Sequence, residues 1–143
     1  MPVIEGARCL DLFAGSGALG LEALSRGAKE VVFVDRDNKV IEYLRNTFAL
    51  LKAEHADAVQ ADALSFLAST PRPFDIVFLD PPYQSELMQP CCTALVEHDW
   101  LSPNAYIYIE TAIQTELVGL PANWQVLREK TAGQVCYRLL QAA

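Results

Sequence analysis

At 143 residues, 52% apolar and 20% charged, the chain has the size and composition of one packed domain, spanning 1–143. No apolar run approaches the ~20 residues of a membrane span, and Met-Pro-Val-Ile-Glu-Gly lacks the pattern of a secretory signal, so no membrane association and a cytoplasmic location are expected. The net charge of −7 argues against the surface as a whole gripping a polyanion; a nucleic-acid partner requires a basic patch that is local or supplied from elsewhere.

In chain order, short runs rich in Val, Ile and Phe alternate with stretches of helical periodicity. Strands are expected at about 8–13, 30–35, 57–61, 74–79 and 105–110, and helices at 18–26, 38–52, 63–69 and 85–97. Leu44, Phe48 and Leu51 fall along one face of the second helix. After Glu110 the pattern changes to two strand-like runs, 124–131 and 134–141, joined by Ala132-Gly133 as a tight hairpin. The reading is an α/β domain with a mainly parallel sheet and an antiparallel C-terminal pair. Cys9, Cys91, Cys92 and Cys136 show no CxxC spacing, so structural thiols and no metal site are expected, and His55 and His98 read as surface or capping residues.

Two segments carry chemistry. Gly15, Gly17 and Gly20 form a GxGxxG between the first strand and first helix, where glycine permits a sharp turn and close approach of a ligand to a helix start. A nicotinamide-dependent oxidoreductase would use the same glycines, and Asp35, with Arg36 beside it, would hold a ribose in either case. Asp11, four residues before Gly15, would repel a pyrophosphate and attract an ammonium group. Asp62, followed by Ala63, is placed to accept from an adenine amine while a backbone N–H reaches a ring nitrogen. Acids at three consecutive strand ends suit S-adenosylmethionine, which is cationic. Each acid taken alone could instead be a helix N-cap.

Asp80, Pro81, Pro82 and Tyr83 follow directly on the apolar run Phe74–Leu79. An exocyclic base amine is a poor nucleophile because its lone pair is delocalised into the ring. The Asp80 carboxylate and the Pro81 carbonyl, held extended by Pro82, can accept both N–H groups and aim the lone pair at an electrophilic methyl. Tyr83 would stack on the extruded base. Guanine N2, adenine N6 and cytosine N4 all fit this tetrad. A nicotinamide oxidoreductase leaves it unexplained, and a noncatalytic RNA-binding module would not need it. Arg128, Lys130 and Arg138 on the hairpin read as solvated charges, with a local phosphate contact as the alternative.

LDLFAGSGALGLEALSRGA, the VDRD around Asp35, the QADAL around Asp62, FLDPPY and the closing REKTAGQVCYRL closely resemble the RsmD family, bacterial methyltransferases that methylate the N2 amine of one guanine in small-subunit ribosomal RNA. The resemblance implies a Rossmann-like class I S-adenosylmethionine-dependent methyltransferase fold, with a seven-stranded, mainly parallel sheet and an antiparallel last pair. By it Gly15, Ser16, Gly17, Asp35 and Asp62 would line the S-adenosylmethionine site and Asp80 to Tyr83 would engage the guanine. The partner would be 16S rRNA or a partly assembled small subunit, and the enzyme a monomer. Family members usually carry a basic N-terminal extension; here the first strand begins almost at Met1, which would make this a catalytic core that grips RNA weakly.

Overall fold

The computed structural model describes residues 4–82 and 86–143. In chain order the elements are β1 (Arg8–Asp11), α1 (Ala18–Ser25), β2 (Glu30–Asp35), α2 (Asn38–Leu51), β3 (Ala56–Gln60), α3 (Ala63–Leu67), β4 (Phe74–Leu79), α4 (Met88–Glu97), β5 (Leu101–Ala112), β6 (Gln125–Ala132) and β7 (Val135–Gln141). They form one seven-stranded sheet in the order β3-β2-β1-β4-β5-β7-β6, parallel from β3 to β5, with β7 antiparallel to both β5 and β6. This is the α/β arrangement expected from the alternation of strands and helices.

Inner strands are apolar on both faces because helices cover both sides. Val31 and Phe33 of β2 pack with α1 and α2, whereas Val32 and Val34 pack on the layer that includes α3 and α4. In α2, Ile41, Leu44 and Phe48 form the buried stripe. Leu51 does not join them: it is 63% exposed, at the last helical residue before Lys52 turns left-handed at φ 51°. Asp37 starts this helix by accepting from the Lys39 N–H at 2.9 Å. Trp100 Nε1–H donates to the Leu67 carbonyl at 2.8 Å, which fastens the end of α3 to the entry of β5.

Several boundaries differ from the sequence expectation, and three of them have a cause in particular residues. α4 begins at Met88, since Pro90 lacks an N–H and is tolerated only in a first turn; the expected start at Ser85 lies outside the described residues. β5 begins at Leu101, ahead of Pro103 and of Asn104 at φ 60°, and the β4–β5 register shifts between Phe74 and Ile76 to absorb that irregularity. The hairpin turn sits one residue later than expected: Ala132 pairs with Val135, so Gly133, at φ 58°, and Gln134 make the turn.

All four cysteines are buried and free, on β1, α4 and β7; burial pushes the Cys9, Cys91 and Cys92 thiols up to about 12. No helix among the described residues is long and apolar enough to cross a membrane.

Candidate active site

Strand order reverses between β1 and β4, which send their connections to opposite sides and leave a crevice at their carboxyl ends. A cavity of about 640 Å³ opens there, within the range of small-molecule sites. Its rim follows the sheet: Asp62 after β3, Asp35 ending β2, Asp11 ending β1, Asp80 after β4 and Glu110 near the end of β5 all line it. Five carboxyl groups thus stand at five adjacent strand ends.

The first three are built into the backbone. Asp35 Oδ2 accepts from the Gly15 N–H at 3.0 Å and Oδ1 from the Asp37 N–H at 2.9 Å, so this one side chain ties the glycine loop to β2. Asp11 is 3% exposed, and its Oδ2 accepts from the Gly20 N–H at 3.1 Å. Burial pushes the Asp11 carboxyl up to about 7 against the pull of the Gly20 hydrogen bond, with Asp80, Asp35 and Glu110 repelling its charged form. Asp62 is the N-cap of α3, accepting from the Ser65 N–H at 3.3 Å, and lines the cavity as well. Cap and wall are compatible roles, because a carboxylate has more lone pairs than one N–H can occupy.

The glycines divide. Gly15, at φ 52°, lines the cavity, as do Ser16, Arg36 and Ala63. Gly17 and Gly20 do not. Gly17 is the left-handed N-cap of α1 at φ 81°, and a Cβ on Gly20 would strike the ring of Phe33. A Cβ on Gly17 would strike Leu44 of α2, so both glycines permit the close packing of α1 with its neighbours, a role compatible with the turn expected of them.

On the other wall Asp80, Pro81 and Pro82 line the cavity; Tyr83 lies outside the described residues. Glu110 escaped the sequence reading. The parallel register sets Leu79 beside Ile109, so Asp80 and Glu110 emerge side by side and line the same cavity. Tyr108 Oη–H donates to Glu110 Oε1 at 3.3 Å. Burial raises both acids above the ordinary carboxylate range; the charge of Asp80 raises Glu110 further, while the neighbouring Glu110 restrains the rise of Asp80.

Such a row of acids disfavours a polyphosphate and favours a ligand bearing cations, hydroxyls and amines. Among the described residues no cluster of three His, Cys, Asp or Glu side chains is placed to hold a metal ion. Neither His55 nor His98 reaches the cavity; both are exposed.

Residues 1–141 match the family model described as "Conserved hypothetical protein 95". Ribosomal RNA small subunit methyltransferase D of Escherichia coli strain K12 is 48% identical over 140 residues, covering 98% of this chain and 71% of the relative. The solved structure of a putative methyltransferase from Escherichia coli superposes with a TM-score of 0.94 at 48% identity, covering 99% of this chain and 80% of that one. The fold recurs in a putative S-adenosylmethionine-dependent methyltransferase from Streptococcus mutans, with a TM-score of 0.82 at 17% identity, covering 97% of this chain and 45% of that one.

Proposed function

We propose, from the premise that this chain belongs to the RsmD family, that it transfers a methyl group from S-adenosylmethionine to the exocyclic N2 amine of a guanine in 16S rRNA of the small ribosomal subunit. The observation that carries the reading is the pairing of an acid-rimmed cavity with an Asp80-Pro81-Pro82 wall at the reversal of strand order.

The residues fit the methyl donor. Asp11 lies beneath the glycine loop, where a ligand ammonium would draw it into the charged form; Asp35 faces the same cavity with lone pairs to spare for ribose hydroxyls, and Asp62 with Ala63 can meet an adenine edge. Bound S-adenosylmethionine supplies an electrophilic methyl, so positioning the amine is the main task left to the protein. The Asp80 carboxylate and the Pro81 carbonyl accept the two amine N–H groups and turn the nitrogen lone pair toward the donor. Asp80 takes up the proton that the amine gives off. Glu110, held by Tyr108 and standing beside Asp80 in the cavity wall, serves as a positioning residue. Tyr83 would stack on the base. The substrate is 16S rRNA, free or in a partly assembled subunit, met in the cytoplasm by a monomer.

Incubating the protein with labelled S-adenosylmethionine and undermethylated small subunits, then resolving the product nucleosides by mass, tests this. N2-methylguanosine is the expected product. Methylated adenosine or cytidine would redirect the reading to another amine, and no transfer together with binding of a nicotinamide cofactor would overturn it.

A further inference from the structure

The hairpin presents a second concave surface, about 450 Å³, on the face of the sheet where Tyr108 and Glu110 point. Its composition follows from register. Tyr108 stands opposite Leu139, which stands opposite Arg128; Glu110 stands opposite Tyr137, which stands opposite Lys130. Directly opposed residues share a face, so these side chains form two parallel rows across β5, β7 and β6. The rings of Tyr108 and Tyr137 lie 6.3 Å apart, both partly exposed. Arg128 and Lys130, two residues apart on the exposed strand β6, stand ~7 Å from each other by strand geometry. Arg138, one position out of phase, also borders the surface, but its guanidinium is engaged by Glu129 and Thr111, which accept from it at 3.0 Å each. Among the described residues Arg128 and Lys130 have no acidic partner.

We propose that this face, formed by Tyr137, Arg128 and Lys130 beside Tyr108, holds a single-stranded RNA segment next to the methylated base, with backbone phosphates on the two cations and a base on Tyr137. The inference rests on the methyltransferase reading and supplies what the charge of −7 withholds, a local basic surface. Partly exposed aromatic faces beside unpartnered cations are the chemistry that recognises unstacked RNA. The face is also continuous with the site: Tyr108 lines the groove and donates to Glu110, which lines the cavity beside Asp80. A strand leaving the Asp80 wall therefore runs onto the hairpin with no intervening barrier of acid beyond Glu110. Protection of an open sheet edge would call for charge of either sign. RNA binding calls for positive charge alone, and that difference is testable.

The double variant Arg128→Glu and Lys130→Glu keeps the edge charged and reverses its sign. Binding of protein-free 16S rRNA and of undermethylated small subunits is followed by fluorescence anisotropy across a salt series, with S-adenosylmethionine affinity and Tm measured alongside. RNA affinity should fall ~10- to 100-fold and the slope of log affinity against log salt should flatten by roughly 1.4, two single-strand phosphate contacts. Tyr137→Ala should weaken RNA ~10-fold with little change in slope. S-adenosylmethionine affinity should be unchanged in both. The milder Arg128→Gln and Lys130→Gln pair, which keeps polar bulk on the edge, should flatten the slope equally and guards against misfolding of the reversed variant. Unchanged RNA affinity and slope would overturn the proposal, and a fall in Tm in its place would assign the face to packing of protein. Native protein that methylates subunits beside variants with unaltered RNA binding refutes this surface alone; native protein that methylates nothing refutes the function.

Discussion

The carboxyl ends of β3 to β5 and the open face of the C-terminal hairpin differ in sign, burial and backbone involvement. Asp11, Asp35 and Asp62 are each bonded to a backbone N–H and sit in a crevice between strands. Arg128 and Lys130 project from a strand that is exposed along all eight residues. In the proposed reading the first region holds one small cation-bearing ligand and the second meets a long flexible polyanion. A net charge of −7 averages the two and describes neither.

The sharpest way to separate them is Asp80→Asn. Losing the charge at the amine-holding wall should lower kcat by ~10²- to 10³-fold, the scale of one removed transition-state contact, while RNA affinity stays within twofold. A parallel loss of RNA binding would merge the two regions into one.

Asp11→Asn should weaken S-adenosylmethionine ~10-fold, by calorimetry, since it removes the charge that faces the ligand ammonium, and it should leave the hairpin's RNA slope intact. Its effect on stability runs the other way. An unfolded aspartate releases its proton near ~3.9, whereas folded Asp11 retains it up to about 7, so the folded state loses stability as pH rises across that window and stays weakened above it. The asparagine can still accept from Gly20 without ionising. Its Tm should match the parent near pH 4 and exceed it by several degrees at pH 8, measured by calorimetric scans.

Glu110→Gln should have the smallest effect at neutral pH, a few-fold at most. Burial and the charge of Asp80 hold the Glu110 carboxyl above its ordinary range, so its ionisation as pH rises adds a charge beside Asp80. The amide does not ionise, so the step that this adds to the pH profile of kcat should be present in the parent and absent in the variant. Glu110→Ala removes the charge and the contact together and should lose the same step.

The sheet and the Asp80 wall were legible in sequence because each depends on local pattern: apolar runs of strand length, and a carboxylate at the point where such a run surfaces. Glu110 was hidden for the opposite reason. Within Tyr106-Ile-Tyr-Ile-Glu110 it continues an ordinary alternation, and only the pairing of Leu79 with Ile109 puts it beside Asp80. Gly17 and Gly20 do not declare their neighbours in sequence, because glycine reports that something approaches closely and not what; for Gly17 it is Leu44 and for Gly20 the ring of Phe33. The groove on the hairpin was half visible. Arg128, Lys130 and Arg138 looked alike as charges, and the period of two along a strand, with one member out of phase, decides which of them face the tyrosines.

The sealed thiols give this molecule an internal clock. Cys9 lies under α1 and α2, Cys91 and Cys92 in the opposite layer and Cys136 on β7, none more than 1% exposed. An alkylating reagent can modify them only when their own layer parts. The order in which they react would therefore record which half of the sheet opens first, and whether a bound methyl donor holds the β1 side shut while the hairpin continues to breathe.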